Sequence, residues 1–176
     1  MRVDLNISFS VHPQSTIGIK PITLAYIMYI MYDGGEGVVY MQTVNATEVR
    51  NNFSYYIDTV IREKPIAVKR NRDVLLLFSD QMVKDLLQDL TIQAELTMED
   101  GVIVGTVFDL VVCGESKQEV IQKLAEDLLE YAQDYVNDFK LFYNAPNRKD
   151  HYPYVLRILL SSTIEEIKGL INAKMV

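Results

Sequence analysis

Apolar positions in the middle of the chain change period several times, and each change marks an element. Phe53, Tyr56, Ile57, Val60 and Ile61 recur at helical spacing, which predicts an amphipathic helix with one apolar face ending near Glu63. Asn45 followed three residues later by Glu48 is a capping-box signal that starts helical structure upstream, and Pro65 stops it. Gln42-Thr43-Val44 reads as a short strand before the helix. After it, Ile66-Ala67-Val68-Lys69-Arg70 places Ile66 and Val68 on one face of a strand. Val74-Leu75-Leu76-Leu77-Phe78 is a continuous apolar run of the kind expected in a well-buried strand, and the polar Asn71-Arg72-Asp73 turn makes the two a hairpin. Ser79 then opens a helix carrying Met82, Val83, Leu86 and Leu87. The predicted order over residues 41–87 is β-α-α-β-β-α.

In residues 88–176 the pattern starts again. Residues 90–96 alternate in part, Glu99-Asp100-Gly101 is a hairpin turn signal, and residues 102–108 form a second strand. Ser116 with Glu119 fits a capping box for a long helix whose apolar stripe is Ile121, Leu124, Leu128, Tyr131, Tyr135 and Phe139. Its opposite face carries Glu126, Asp127, Glu130, Asp134 and Asp138. After the polar loop of residues 144–150, His151-Tyr152-Pro153 reads as a hinge into a packing helix, and Ser162 or Thr163 opens a final one.

Residues 1–40 have no clean period and end in Asp33-Gly34-Gly35-Glu36-Gly37, a boundary signal ahead of Met41. No Lys-Ser/Thr follows these glycines and no G-x-G-x-x-G occurs, so a phosphate loop is not indicated. Gly-Gly-Glu fits a purine-rich coding run resembling a ribosome-binding site a few codons before Met41. The leader is therefore expected to be an upstream mis-start, with a flexible or partner-binding arm as the alternative. The apolar run of residues 22–32 is far shorter than the roughly 20 residues of a membrane span, and it lacks the features of a signal peptide.

Charge sharpens this division. The formal net charge of −7 comes from the last segment: Lys/Arg against Asp/Glu count 2 to 3 in residues 1–40, 7 to 6 in 41–87 and 8 to 15 in 88–176. An acidic total argues against nucleic-acid binding, but local cations decide phosphate affinity. Arg62, Lys64, Lys69, Arg70 and Arg72 cluster in sequence around the helix end and hairpin, with Arg50 on the first helix. One cysteine, Cys113, leaves no internal disulfide and no multi-cysteine metal site, so a cytoplasmic protein without metal or cofactor is expected. Cys113 reads as a small buried residue rather than a nucleophile, and Arg148 with Lys149 as solvated surface, with a partner contact as the alternative. A unit of about 47 residues has a marginal core, which association with a second copy remedies, so a homodimer is expected.

The stretch MQTVNATEVRNNFSYYIDTVIREKPIAVKRNRDVLLLFSDQMVKDL resembles the N-terminal domain of the Phd/YefM antitoxin family. The resemblance rests on the ordered series of strand, Asn45-Ala46-Thr47-Glu48-Val49-Arg50-Asn51-Asn52-Phe53, the Pro65 to Arg70 strand, the apolar strand and Ser79. It implies a dimer that binds operator DNA to repress its own operon while a C-terminal region neutralises a toxin. Arg50 then matches a DNA-contacting arginine and Arg70 the basic residue ending the second strand, with Thr47, Asn51, Lys69 and Arg72 as further DNA-binding candidates. A glycine common in the following turn is replaced here by Asn71-Arg72-Asp73. EDGVIVGTVFDLVVCGESKQEVIQKLAEDLLEYA is similar to HicB-like antitoxin domains, which also bind toxins.

The implied fold class is α+β: a small dimeric Phd/YefM-like domain followed by an α+β HicB-like domain with C-terminal helices. Glu126, Glu130 and Asp134 read either as a solvated helix face or as the contact for a small basic ribonuclease-like toxin, captured by charge complementarity. The expected function is a type II antitoxin and autorepressor with operator DNA, a cognate toxin and a second copy as partners. A protein-interaction module without DNA binding is the alternative. No histidine pair, phosphate loop or paired strand-end carboxylates support an enzyme.

Overall fold

The computed structural model describes residues 43–176; the readings of residues 1–40 and of a start at Met41 lie outside them. The first six elements follow the order that the sequence pattern predicts: β1 (Thr43–Asn45), α1 (Ala46–Asn51), α2 (Phe53–Arg62), β2 (Ile66–Arg70), β3 (Asp73–Leu77) and α3 (Asp80–Leu86). β2 is central, parallel to β1 and antiparallel to β3. Val44, Val49, Tyr56, Val60, Ile66 and Val68 form one buried cluster, with Ala46 and Leu77 packed against it.

Two expectations fail here. The helical stripe splits, with Tyr56 and Val60 buried but Phe53 and Ile61 each 60 % exposed. The run expected to be well buried is an edge strand: Val74 is 50 % and Leu75 61 % exposed. Among the described residues no strand pairs with the outer edge of β3, and the apolar side chains of α2 and β3 named here face outward.

A second sheet has the order β6-β5-β4-β7. It is built from β4 (Ile92–Glu99), β5 (Val102–Val107), β6 (Leu110–Gly114) and β7 (Ile171–Met175). The helices between β6 and β7 are α4 (Lys117–Asn137), α5 (Phe139–Asn144), α6 (Tyr152–Leu159) and α7 (Ile164–Leu170), with a 3₁₀ turn at Lys149–His151. Asp100 and Gly101 both take positive φ (49° and 85°), as a two-residue hairpin turn needs. Ile92, Ala94 and Leu96 are buried while Gln93 and Glu95 face out, the period-two pattern of a sheet covered on one side. The sequence pattern missed β6, which it merged into the approach to α4, and β7, which is parallel to β4 and follows α7 without a break signal.

α4 lies against β5, β6 and β7, with α6 and α7 packed on it. Its start is fixed as the capping box implies: the Glu119 amide donates to the Ser116 hydroxyl (3.2 Å), and the Glu119 carboxylate accepts from the Glu115 amide (2.9 Å). Val120, Leu124, Ala125, Leu128, Tyr131, Ala132 and Tyr135 are its buried stripe. Phe139 falls beyond a break at Asp138 and belongs to α5. Full burial of Leu124 or Leu128 contributes about 2 kcal/mol each.

The end of α4 enters an aromatic cluster. His151 stacks on Phe108 with centroids 4.1 Å apart, and Tyr131 hydroxyl and His151 Nδ1 share a 2.7 Å hydrogen bond. Arg148, expected in solvent, instead pairs with Asp109 (3.2 Å), lies 4.9 Å from the Phe142 ring centroid, and accepts the Tyr135 hydroxyl on its carbonyl (3.0 Å). The 3₁₀ turn leads directly into α6, whose first turn accommodates Pro153. Cys113 is exposed, not buried, because β6 is an edge strand and side chains alternate along it. No helix among the described residues is long and apolar enough to cross a membrane.

Candidate functional site

The parallel pairing of β1 with β2 sets Asn45 opposite Lys69, so the chain enters α1 beside the basic end of β2. Asn45 caps that helix: its side-chain oxygen accepts the Thr47 amide at 2.9 Å. A cleft of about 580 Å³ results, lined by Asn45, Ala46, Thr47, Arg50, Lys69, Arg70 and Asn71. Thr47, Arg50, Lys69 and Arg70, four of the six DNA-binding candidates from the sequence, therefore meet. Asn51 and Arg72 do not line the cleft.

Among the described residues, none of Arg50, Lys69, Arg70 or Arg72 forms an ion pair. Asp73 sits opposite Arg70 in the strand register without pairing with it. Exposed cations held together without a counter-ion repel one another and favour an anion in the cleft. Arg62 and Lys64, grouped with them in sequence, are separated in space. They precede β2 while Lys69 and Arg70 end it, a distance of roughly 15–20 Å along the strand. Arg62 is also occupied by Asp58 at 3.6 Å.

The turn that places Arg70 is made without glycine. Asn71 takes φ 56°, in the left-handed region that asparagine tolerates better than most residues, and so supplies the geometry left open by the missing glycine. Asn45, Ala46 and Asn71 line the cleft but were not sequence candidates. The capping signal at Asn45 and the asparagine in a two-residue turn were the clues to two of them.

Glu48 does not complete a capping box. Its Oε1 instead accepts the Tyr56 hydroxyl, across the break at Asn52 that separates α1 from α2. That hydrogen bond, with burial adding to it, pushes the Tyr56 hydroxyl up to about 12.

The acidic candidates Glu126, Glu130 and Asp134 are all exposed on α4. Glu126 accepts from the Gln122 amide at 2.7 Å, and none of the three pairs with a cation among the described residues. Exposed Val136, Phe139 and Leu141 lie just beyond them, beside a hollow of about 630 Å³ lined by Asn137, Asp138, Phe139, Lys140 and Leu141. No group of three or more His, Cys, Asp or Glu placed to hold a metal occurs among the described residues.

Residues 41–173 match a family model, PHD-like, whose description is antitoxin of RelE/RelB toxin-antitoxin systems. A crystal structure of an antitoxin part of a proposed toxin/antitoxin system from Syntrophomonas wolfei subsp. wolfei is 78 % identical, with a TM-score of 0.75. The match covers 77 % of this chain and all of that one. No curated protein matches the chain.

Proposed function

The chain belongs to the PHD-like antitoxin family of RelE/RelB toxin-antitoxin systems, a non-enzymatic class, and on that premise we propose that it binds both operator DNA and a toxin. The observation that carries the DNA role is the cleft where Thr47 meets Arg50, Lys69 and Arg70, three cations without an ion-pair partner among the described residues. Arginine and lysine there suit phosphate oxygens and guanine edges, and Thr47 adds a hydroxyl for either. Asn51 and Arg72 flank the cleft in sequence and remain secondary contacts. Two copies in a dimer present two such clefts to successive half-sites, so that the protein represses its own operon.

The test is titration of the duplex immediately upstream of the coding sequence at several salt concentrations. Arg50→Ala is expected to weaken binding by about 5- to 150-fold, a loss of about 1–3 kcal/mol. Lys69→Ala is expected to lower the salt slope by about one. Binding that ignores salt would leave a protein-interaction module with no DNA role.

The second half supplies the toxin contact in this reading. Glu126, Glu130 and Asp134 span about 12 Å of helix and end at the apolar Val136, Phe139 and Leu141. An acidic rim beside exposed apolar side chains suits a small basic ribonuclease-like toxin, whose capture is steered by charge. Glu130→Lys combined with Asp134→Lys is expected to slow association with the toxin encoded beside it by about tenfold at low salt. An unchanged association rate in surface plasmon resonance would remove these carboxylates from the interface.

A further inference from the structure

Arg50 sits on a six-residue helix, too short to hold a position by its own hydrogen bonds. What holds α1 is therefore what aims Arg50. One tie is Val49, buried against the β1–β2 core, and another is the Asn45 cap. The third crosses the break at Asn52, where the backbone leaves helical geometry (φ −124°, ψ 38°). Asn52 donates its amide to the Glu48 carbonyl (3.0 Å), and the Tyr56 amide donates to the Asn52 carbonyl (3.2 Å), so Glu48 and Tyr56 stand four residues either side of the bend. The Tyr56 ring is anchored in the core at 4 % exposure, and its hydroxyl donates to the Glu48 carboxylate.

We infer that Glu48 and Tyr56 are a positioning pair: their hydrogen bond sets the roll of α1 about Asn52 and so directs Arg50 toward the Lys69–Arg70 end of β2. Neither residue lines the cleft, so neither is needed as a DNA contact. The inference rests on the DNA-binding reading given above for its consequence, but not for its geometry.

Two measurements on the full chain separate these. In free protein, Tyr56→Phe is expected to speed amide exchange of residues 49–52 relative to β2, because it unties α1 while leaving the ring packed. On the upstream duplex, Tyr56→Phe and Glu48→Ala are each expected to weaken binding roughly three- to tenfold, and the double variant no further than either alone. Glu48→Gln keeps an acceptor oxygen and is expected to retain the affinity. The salt slope stays at its unmodified value in Tyr56→Phe, since no phosphate contact is lost, and falls in Arg50→Ala. Unchanged exchange of residues 49–52 overturns the positioning pair whether or not DNA binds. Full affinity in Tyr56→Phe and Glu48→Ala beside a weakened Arg50→Ala overturns it and leaves the DNA reading standing. An Arg50→Ala variant that binds as tightly as the unmodified chain overturns the DNA reading itself.

Discussion

Phe108 takes φ 51°, where a bulky side chain costs on the order of 1–2 kcal/mol. The turn keeps this conformation because its ring is packed by His151, Tyr154 and Tyr131. His151 is therefore part of what holds the β5–β6 turn. Burial, with a smaller push from Arg148, holds its imidazole below the ordinary histidine value near 6.5, while Asp109 and Asp150 act in the other direction. The fold thus favours neutral His151. Its stabilising contribution is present above pH 6.5 and is lost as the pH falls through that value toward the lower folded one, where only the unfolded chain takes up the proton readily. Denaturant midpoints measured between pH 8 and pH 5 are expected to fall across this window, and more gently in His151→Gln. Equal slopes in the two proteins would show that another group carries the dependence.

At the scale of elements, close approach is decided by single small residues. A Cβ on Gly105 would collide with Val120 Cγ1, so glycine in β5 is what lets α4 settle onto the sheet. Nearer the start of the described residues, β3 has no strand partner among them on its outer side and exposes Val74 and Leu75, while α2 exposes Phe53, Tyr55 and Ile61. An exposed apolar edge strand, even a short one, is an association surface. The dimer expected from the small size of this unit fits that surface. Sedimentation of the unmodified chain at micromolar concentration is expected to give a dimer, and Leu75→Glu a monomer. An unmodified monomer would refute the assignment.

Across the whole molecule the two charge characters serve different proposed partners. The near-neutral first unit hides a local excess of cations: Glu48 is engaged by Tyr56 and Asp58 by Arg62, while Asp73, opposite Arg70 in the strand register, does not line the cleft. The acidic remainder dominates the net charge of −7, and none of its residues lines the cleft. An acidic antitoxin that binds DNA is thus physically consistent: phosphate responds to cations within about a Debye length, not to the sum over the chain. Raising the salt is expected to weaken both proposed contacts, because both are charge-led.

The sequence by itself determined the local features. Caps at Asn45, Ser79, Ser116 and Thr163 start helices where they stand, Asp100-Gly101 makes its turn, and periodicity places most of the buried stripe of α4, since all of these depend on neighbours within a few residues. Thr47, Arg50, Lys69 and Arg70 became candidates through the family resemblance that the sequence carries. Tertiary structure alone decided what depends on distant pairing. A continuous apolar run reads alike in a central and an edge strand, so the exposure of Val74 and Leu75 waited on the sheet order. β7 exists through its partner β4, about eighty residues earlier. Asn51 and Arg72 parted from the cleft, and Glu48 turned from capping to Tyr56, because the bend at Asn52 and the strand register set where side chains meet.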